Sequence, residues 1–222
     1  MPDHLLYAVL CSLLLGYAVG CLSPAFVIGK LKGYDVRKTG SKNAGATNTM
    51  LMAGKLAGVL VAMTDIVKAA CSWWLSAALF PGVRVAGMIG GAACTLGHIY
   101  PLPLRFRGGK GLACMGGVIL AYEPKTLLMM LAIALTIGLI TNYLAVVTVS
   151  IAAIWPLYYG VATGFWPGAA ILAVPLIPIT IRHLENFRRM KAGTELRLSY
   201  LWDKEAELRR TGHQDEDKQI NA

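Results

Sequence analysis

Residues 126–160 read TLLMMLAIALTIGLITNYLAVVTVSIAAIWPLYYG and carry no charged side chain. A helix needs about 20 apolar residues to cross the hydrocarbon core of a bilayer. The stretch is therefore long enough for nearly two crossings, and the polar residue Asn142 divides it. We predict two spans, 126–141 and 143–160, that run in opposite directions with a tight turn between them.

The rest of the chain repeats this pattern of long apolar runs with brief interruptions. Of its 222 residues, 56% are hydrophobic, and its mean hydropathy of +0.56 is higher than that of soluble domains of this length. We therefore expect an all-α integral membrane protein with about seven transmembrane helices. The fourth and fifth spans are the two that could fall short of a full crossing, which leaves a five-span alternative. The predicted spans are 5–29, 56–80, 83–100, 111–122, 126–141, 143–160 and 168–182.

Basic residues indicate which side of the membrane each loop occupies. The net charge of +9 is concentrated in three loops, and Lys and Arg near span ends favour the cytoplasmic side. This predicts an N-terminus outside and a C-terminus inside. The loops lack interleaved stacking aromatics, so nucleic acid is not an expected partner. The basic residues are Lys30, Lys32, Arg37, Lys38 and Lys42, then Arg105, Arg107 and Lys110, and finally Arg182, Arg188, Arg189, Lys191 and Arg197.

Composition also predicts where the folded domain ends. We expect residues 1–197 to form one transmembrane domain and residues 198–222 to form a charged tail, partly helical and then disordered, because the tail has too few hydrophobic residues to fold alone. The cysteines lie in apolar segments without CxxC spacing or an adjacent histidine, so neither a metal site nor a disulfide is predicted. They are Cys11, Cys21, Cys71, Cys94 and Cys114.

The first loop with possible chemistry is GYDVRKTGSKNAGATN, residues 33–48. Gly40 and Gly45 allow positive φ, which lets successive backbone N–H groups turn inward and bind an anion such as phosphate. A Gly- and Asn-rich turn on a solvated surface explains the composition equally well. Side chains that can add directional donors here are Ser41, Asn43, Thr47 and Asn48.

The second loop places Lys110 between glycines at the start of a span, in the sequence RGGKG at 107–111. It is not a Walker A loop, because Leu104 stands where that motif has its first glycine. A lysine at a helix N-terminus nevertheless combines a point charge with free N–H donors and the helix dipole. We therefore predict that Gly108, Gly109 and Lys110 bind a phosphate or an oxyanion.

The third loop follows the last span and reads RHLENFRR at 182–189, followed by GTE at 193–195. His183 and Asn186 are three residues apart, so they share one face of a helix. Donors and a possible base therefore lie together there. Charged neighbours on adjacent faces are Arg182, Glu185 and Arg189.

Two further polar positions lie within predicted spans. Asp65 and Lys68 are spaced for a mutual ion pair, which would offset the cost of placing charges in a membrane. We interpret them first as a structural pair and second as part of the electrostatic wall of a site. His98, near the end of the third span, is interpreted as an interhelical histidine rather than a catalyst.

Taken together, GYDVRKTGSKNAGATN, FRGGKGLA and RHLENFRRMKAGTE resemble the three motifs of the bacterial acyl-phosphate:glycerol-3-phosphate acyltransferases, the PlsY family. The resemblance extends to LGHIYPL at 96–102 and DIVK at 65–68. It implies transfer of a fatty acyl group from acyl phosphate to glycerol 3-phosphate, giving lysophosphatidic acid and phosphate, without coenzyme A and without a cofactor. It also implies a bacterial inner-membrane enzyme with a periplasmic N-terminus, a cytoplasmic active site, membrane lipid around it, and functional coupling to the enzyme that forms acyl phosphate.

Site residues carry over where the motifs match, and we expect no metal ligands among them. The expected catalytic residues are Ser41, Lys110, His183 and Asn186. The expected substrate-binding residues are Gly40, Asn43, Gly45, Thr47, Asn48, Lys55, Gly108, Gly109, Arg182, Arg189 and Glu195. Three positions depart from the family pattern: Leu51 replaces an arginine, and Ala145 and Cys21 each replace a serine. Leu51 and Ala145 stand where relatives bind the substrate phosphate, and Lys55 and Arg189 are the candidates to compensate.

Two other functions compete with this interpretation. A transporter of a phosphorylated solute would also combine polar motifs with apolar spans, but it should show inverted repeats, and none is found. An acyl-CoA-dependent acyltransferase would carry an HxxxxD motif. None of the four histidines, His4, His98, His183 and His213, has an aspartate five residues later.

Overall fold

The computed structural model describes residues 2–211, and every regular element within that range is helical. The all-α prediction is therefore confirmed for this part of the chain. The α-helices are α1 Pro2–Gly20, α2 Pro24–Leu31, α3 Ala46–Ala53, α4 Lys55–Leu79, α5 Ala86–Ile99, α6 Leu112–Tyr122, α7 Pro124–Thr141, α8 Leu144–Thr163, α9 Trp166–Ala173, α10 Leu176–Lys191 and α11 Lys204–Thr211; short 3₁₀ turns cover Leu102–Leu104 and Leu198–Leu201.

Five stretches among the described residues are long and apolar enough to cross a membrane. At 1.5 Å per residue, α5 and α6 rise only about 21 and 17 Å, less than the roughly 30 Å hydrocarbon core. The shortfall expected of the fourth span is thus confirmed, whereas that expected of the fifth is wrong, because α7 extends from Pro124 to Thr141. The third predicted span proves shorter than expected, since residues 81–85 form a turn. The five stretches are His4–Leu31, Lys55–Leu79, Pro124–Thr141, Leu144–Thr163 and Trp166–Lys191.

Leucine side chains on the outer helices face away from the protein interior. Leu14 on α1, Leu60 on α4 and Leu139 on α7 are all more than half exposed. A soluble protein rarely leaves such a continuous apolar surface open to water, whereas lipid tails cover it at no cost. The chain is a multi-pass membrane protein.

Helix α5 forms the centre of the bundle, and small residues let its neighbours approach it closely. Gly16 and Gly20 of α1 lie against the backbone of Gly90 and Cys94, so that a methyl group on either glycine would overlap a carbonyl oxygen. Nearly all of α5 is buried. Glycine-mediated contact of this kind is a common way to pack helices in membranes. Because other helices surround α5, it need not match the bilayer thickness.

The first membrane stretch is broken between α1 and α2. Pro24 lacks an N–H and begins α2, while the Ser23 side chain accepts a hydrogen bond from the N–H of Phe26. The break frees the carbonyls of Gly20 and Leu22. Lys68 Nζ donates to both, at 3.2 and 2.7 Å, so a lysine of α4 satisfies backbone groups that lipid could not.

The same lysine forms the predicted ion pair. Its Nζ lies 2.7 Å from Asp65 Oδ1 and 3.2 Å from His98 Nδ1, and all three side chains are buried. Both the structural interpretation of Asp65 and Lys68 and the interhelical interpretation of His98 are confirmed. Cys114 brings a thiol to within 4.8 Å of the Asp65 and His98 ligand atoms. The Lys68 ammonium supplies there the positive charge that a metal ion would bring.

Orientation in the membrane can be tested with exposed residues at opposite ends of the bundle. Lys32 follows α2, and Lys125 lies in the first turn of α7. With the five native cysteines replaced, an impermeant thiol reagent applied to spheroplasts should label Lys125→Cys and leave Lys32→Cys unlabelled. The motif loops would then face the cytoplasm. Labelling of Lys32→Cys from outside would reverse the predicted orientation.

Candidate active site

The first motif loop is held in shape by one buried side chain. Asn48, fully buried at the start of α3, donates through Nδ2 to the carbonyls of Val36 and Thr39 and accepts at Oδ1 from the N–H of Ser41. It therefore acts on the loop backbone, although it was predicted to bind substrate. This contact also explains why residue 40 is a glycine. Its φ is +56°, and a Cβ added to it would collide with Asn48 Oδ1.

Backbone conformation in this loop agrees only partly with the prediction. Gly40 has the expected positive φ, but Gly45 is extended at φ −143° and caps α3 instead. The second residue of this loop with a positive φ is Lys42 instead, at 56°. What Gly45 requires is space, because a Cβ there would lie 3.0 Å from Asn43 Nδ2 and 3.9 Å from Gly109 Cα in the second motif. The prediction that Gly45 contributes a positive φ is wrong.

The polar side chains of the first loop point in different directions. Ser41 and Thr47 are exposed and can reach a ligand outside the loop. Asn43 Oδ1 is buried without a hydrogen-bond partner, so it can accept from a bound hydroxyl or water. Arg37 is paired with Asp35 at 2.8 Å, which holds the pKa of that carboxyl well below its usual range.

The second motif folds back onto the end of α5. The N–H groups of Gly108 and Gly109 donate to the carbonyls of Ile99 and His98, at 3.2 and 3.1 Å. A methyl group on Gly109 would overlap the ring of His98, so a side chain at this position would push the buried cluster with Asp65 and Lys68 apart. Gly111 has φ +94° and caps α6, which confirms that Lys110 precedes a helix N-terminus.

The third motif lies on α10 and is tied to the second. Lys110 Nζ donates to Asn186 Oδ1 at 2.7 Å, and Asn186 Nδ2 donates to Glu195 at 2.5 Å. The other oxygen of Glu195 accepts from Arg189 Nε at 2.7 Å. Arg182 donates to the carbonyl of Gly108 at 3.1 Å. The three cationic side chains of this cluster therefore outnumber its two carboxylates, Glu195 and Glu185, which leaves an excess of positive charge for an anionic ligand.

His183 shares the buried face of α10 with Asn186, as the spacing predicted. Its Nδ1 lies 2.8 Å from the carbonyl oxygen of Ile179. Because a carbonyl only accepts, Nδ1 carries the proton of the neutral ring, and Nε2 keeps its lone pair. His183 can therefore accept a hydrogen bond from a hydroxyl group through Nε2.

Lys110 is the most strongly perturbed cation of the second loop. Its burial lowers its pKa to about 8, with further lowering by Arg189 and Arg182 that the carboxylate of Glu195 opposes. Burial and the two neighbouring guanidinium groups therefore both disfavour the charged form of Lys110. A phosphate bound beside it would supply counter-charge and favour the protonated form.

The structure therefore brings together most of the predicted site but not all of it. The second and third motifs meet at the hydrogen bond between Lys110 and Asn186, and the first lies beside the second, where a Cβ on Gly45 would come within 3.9 Å of Gly109 Cα. Lys55 is exposed at the start of α4 and makes no hydrogen bond or ion pair with the other described residues, so it shows no compensation for Leu51. Ala145 is buried at the start of α8. Sequence reasoning missed Arg210 of α11, which donates to the carbonyl of Glu195 in the third motif, and the hydrogen bonds between Asn142 and Ser199.

Comparison with known proteins agrees with the motifs. A family model described as glycerol-3-phosphate acyltransferase matches residues 10–193. The glycerol-3-phosphate acyltransferase of Bordetella avium is 36% identical over 89% of this chain and 95% of its own. Glycerol-3-phosphate acyltransferase 1 of Oceanobacillus iheyensis is 32% identical over 90% of this chain and 100% of its own.

Two solved structures are similar to this fold. Both are crystal structures of PlsY (YgiH), an integral membrane glycerol 3-phosphate acyltransferase. The glycerol 3-phosphate form has a TM-score of 0.79 and 33% identity, covering 87% of this chain and 96% of that one. The lysophosphatidic acid form has a TM-score of 0.76 and 32% identity, covering 85% and 94%. Family match, relatives and structures agree, and the chain belongs to the PlsY family of glycerol-3-phosphate acyltransferases.

Proposed function

We propose that this acyltransferase takes its acyl group from an acyl phosphate and transfers it to glycerol 3-phosphate, giving lysophosphatidic acid and inorganic phosphate. The observation that carries the proposal is the junction of the second and third motifs at Lys110, Asn186 and Glu195. Both substrates carry a phosphate, and the junction has more positive than negative charge. A site for two phosphorylated molecules fits this balance.

The chemistry needs positioning more than activation. An acyl phosphate is a mixed anhydride, so its phosphate is already a good leaving group. The primary hydroxyl of glycerol 3-phosphate attacks the carbonyl carbon; the new C–O bond forms as the C–O bond to phosphate breaks. Lys110 and the exposed Ser41 are proposed to bind the donor phosphate and stabilise the charge that the leaving group gains.

The acceptor hydroxyl must lose a proton during the attack. We propose that His183 Nε2 accepts a hydrogen bond from this hydroxyl and orients it, since Nδ1 is engaged with Ile179. The proton then passes to His183 or to the departing phosphate, and both routes give the same products. Arg182 and Arg189 lie on the same helix and are proposed to bind the acceptor phosphate in place of the family arginine at Leu51.

We also propose that the site opens to the cytoplasm from the inner membrane. The basic residues of all three motifs support this orientation through the positive-inside rule. The donor's acyl chain would then lie among apolar helices while its phosphate reaches Lys110. An enzyme that forms acyl phosphate is the natural functional partner, because such anhydrides are labile in water.

Donor identity is the sharpest test of the proposed function. Purified protein is incubated with glycerol 3-phosphate and either acyl phosphate or acyl-CoA, and lysophosphatidic acid is measured. Acyl phosphate should support transfer and acyl-CoA should not, because the chain lacks the HxxxxD motif and brings together Lys110, Arg182 and Arg189, whose positive charges suit a phosphate. If the same preparation were active with acyl-CoA and inactive with acyl phosphate, the donor assignment would be refuted.

A further inference from the structure

The chain continues past the residues that the family model matches, and the added segment packs against the site region. The match ends at residue 193. Beyond it, the N–H groups of Leu198 and Ser199 donate to the carbonyl and the side-chain oxygen of Asn142, at 2.8 and 3.0 Å. Asn142 Nδ2 donates back to Ser199 Oγ at 3.2 Å. These three bonds fasten the segment to the turn between α7 and α8.

Helix α11 carries a buried carboxylate, Glu207, that packs against the segment 197–199. Glu207 is only 5% exposed, and it accepts from the N–H of Arg197, from Ser199 Oγ and from the guanidinium of Arg210. Burial alone would raise the pKa of Glu207, but Arg210 and the Arg197 N–H outweigh it and hold that pKa below its usual value. Glu207 is therefore charged at neutral pH and holds Arg210 in one orientation.

Arg210 uses its two terminal nitrogens on the backbone of the third motif. Nη1 donates to the carbonyl of Gly193 and Nη2 to the carbonyl of Glu195. Gly193 and Thr194 are exposed, so burial does not hold this turn; its N–H groups bond to the carbonyls of Met190 and Arg189, and Arg210 holds its carbonyl side. The carboxylate of Glu195 in turn accepts from Asn186 and Arg189, as described above.

We propose that Arg210, held by Glu207, is a positioning residue for acyl transfer: it fixes the turn at 193–195 so that Glu195 orients Asn186, and Asn186 orients Lys110. The proposal rests on the proposed function for the role of Lys110. A shift of about 1 Å in the turn would break the short contacts of Glu195 and release the Asn186 amide. The added segment thereby acts on the catalytic lysine through three successive hydrogen-bonded links.

A double-mutant cycle tests this relay. Arg210→Ala should lower kcat by about tenfold, whereas Arg209→Ala should change it by less than about twofold, because among residues 2–211 Arg209 pairs only with Glu205 of its own helix. In a Glu195→Ala background, adding Arg210→Ala should change kcat by less than about twofold, since the link through which Arg210 acts is already gone. A residue with a merely structural role would instead give the same loss in both backgrounds.

Each outcome separates the relay from the donor assignment. The wild-type protein is first assayed with acyl phosphate and with acyl-CoA, and the cycle is run with whichever donor supports transfer. An undiminished kcat in Arg210→Ala, or equal losses in both backgrounds, would overturn the relay whatever the donor. If Arg210→Ala does not fold, Arg210→Lys carries the same comparison, because it keeps the charge but lacks the fork that donates to two carbonyls.

Discussion

Lys110→Ala is expected to lower kcat on the order of 30- to 1000-fold, because it removes the proposed charge-assisted contact to the donor phosphate in a partly buried site. The measurement is the rate of lysophosphatidic acid formation at saturating substrates. Lys110→Arg should also be poor, since a planar guanidinium cannot replace a compact ammonium between Gly109 and Gly111. The matched control is Lys125→Ala at the opposite end of the bundle, which should leave the rate nearly unchanged.

Lys110→Ala should not destabilise the protein when unfolding is measured without substrates. Burial lowers the pKa of Lys110 from 10.5 to about 8. The unfolded chain therefore binds a proton more tightly than the folded one, and this group's contribution to the free energy of unfolding rises as the pH increases from about 8 to 10.5. At pH 7 the charged lysine is a cost to the fold. Thermal unfolding in detergent should thus show Lys110→Ala equal to or more stable than wild type.

Loss of activity together with retained stability would assign Lys110 to substrate and not to packing. If Lys110→Ala kept more than about half of the wild-type rate, its side chain could not be the main phosphate contact, because charge-assisted contacts in such sites carry far larger effects. The donor site would then have to be sought around Ser41 and Arg189. Loss of both activity and stability would instead point to the bond with Asn186 as a structural link.

Apolar length predicted the helices well but not how far each one crosses. The hairpin at 126–160 becomes α7 and α8, with Asn142 at the turn, because a helix satisfies its own backbone groups in lipid; α8 accommodates Pro156 in its interior. For the predicted span at 83–100, apolar length did not predict the extent of the helix. Its glycines and alanines read as apolar, but they serve to pack α5 against α1 and α4, and a helix surrounded by protein need not reach both membrane faces.

The cluster of candidate catalytic residues could be predicted from the motifs, whereas the residues that support it could not. His183 and Asn186 share a helical face because of their spacing, and Lys110 lies beside them as the resemblance implied. The role of Asn48 depends on a loop conformation that no periodicity reveals. Arg210 lies in the segment for which composition predicted a charged tail, partly helical and then disordered; α11 is its helical part, and residues 212–222 lie outside the described range. Its contacts with Gly193 and Glu195 arise from tertiary packing.

Lys68→Met is expected to destabilise the protein by about 3 to 5 kcal/mol, the usual cost of leaving one partner of a buried ion pair uncompensated. Lys68 Nζ neutralises Asp65 and also satisfies the carbonyls of Gly20 and Leu22 at the break in the first membrane stretch. Methionine has a similar shape but offers neither charge nor donors. The midpoint of thermal unfolding in detergent should fall, and Lys125→Met should leave it unchanged.

The double variant Asp65→Asn/Lys68→Met separates the two contributions. It removes both charges, so it should recover the part of the loss that comes from the unpaired carboxylate. The remainder measures the two backbone bonds, at about 1 kcal/mol each. Activity should follow stability, because His98 contacts Asp65 on one side and Gly109 of the second motif on the other. If Lys68→Met alone unfolded at the same temperature as wild type, water or lipid headgroups would have to reach this cluster and solvate Asp65. The ion pair would then have no structural role.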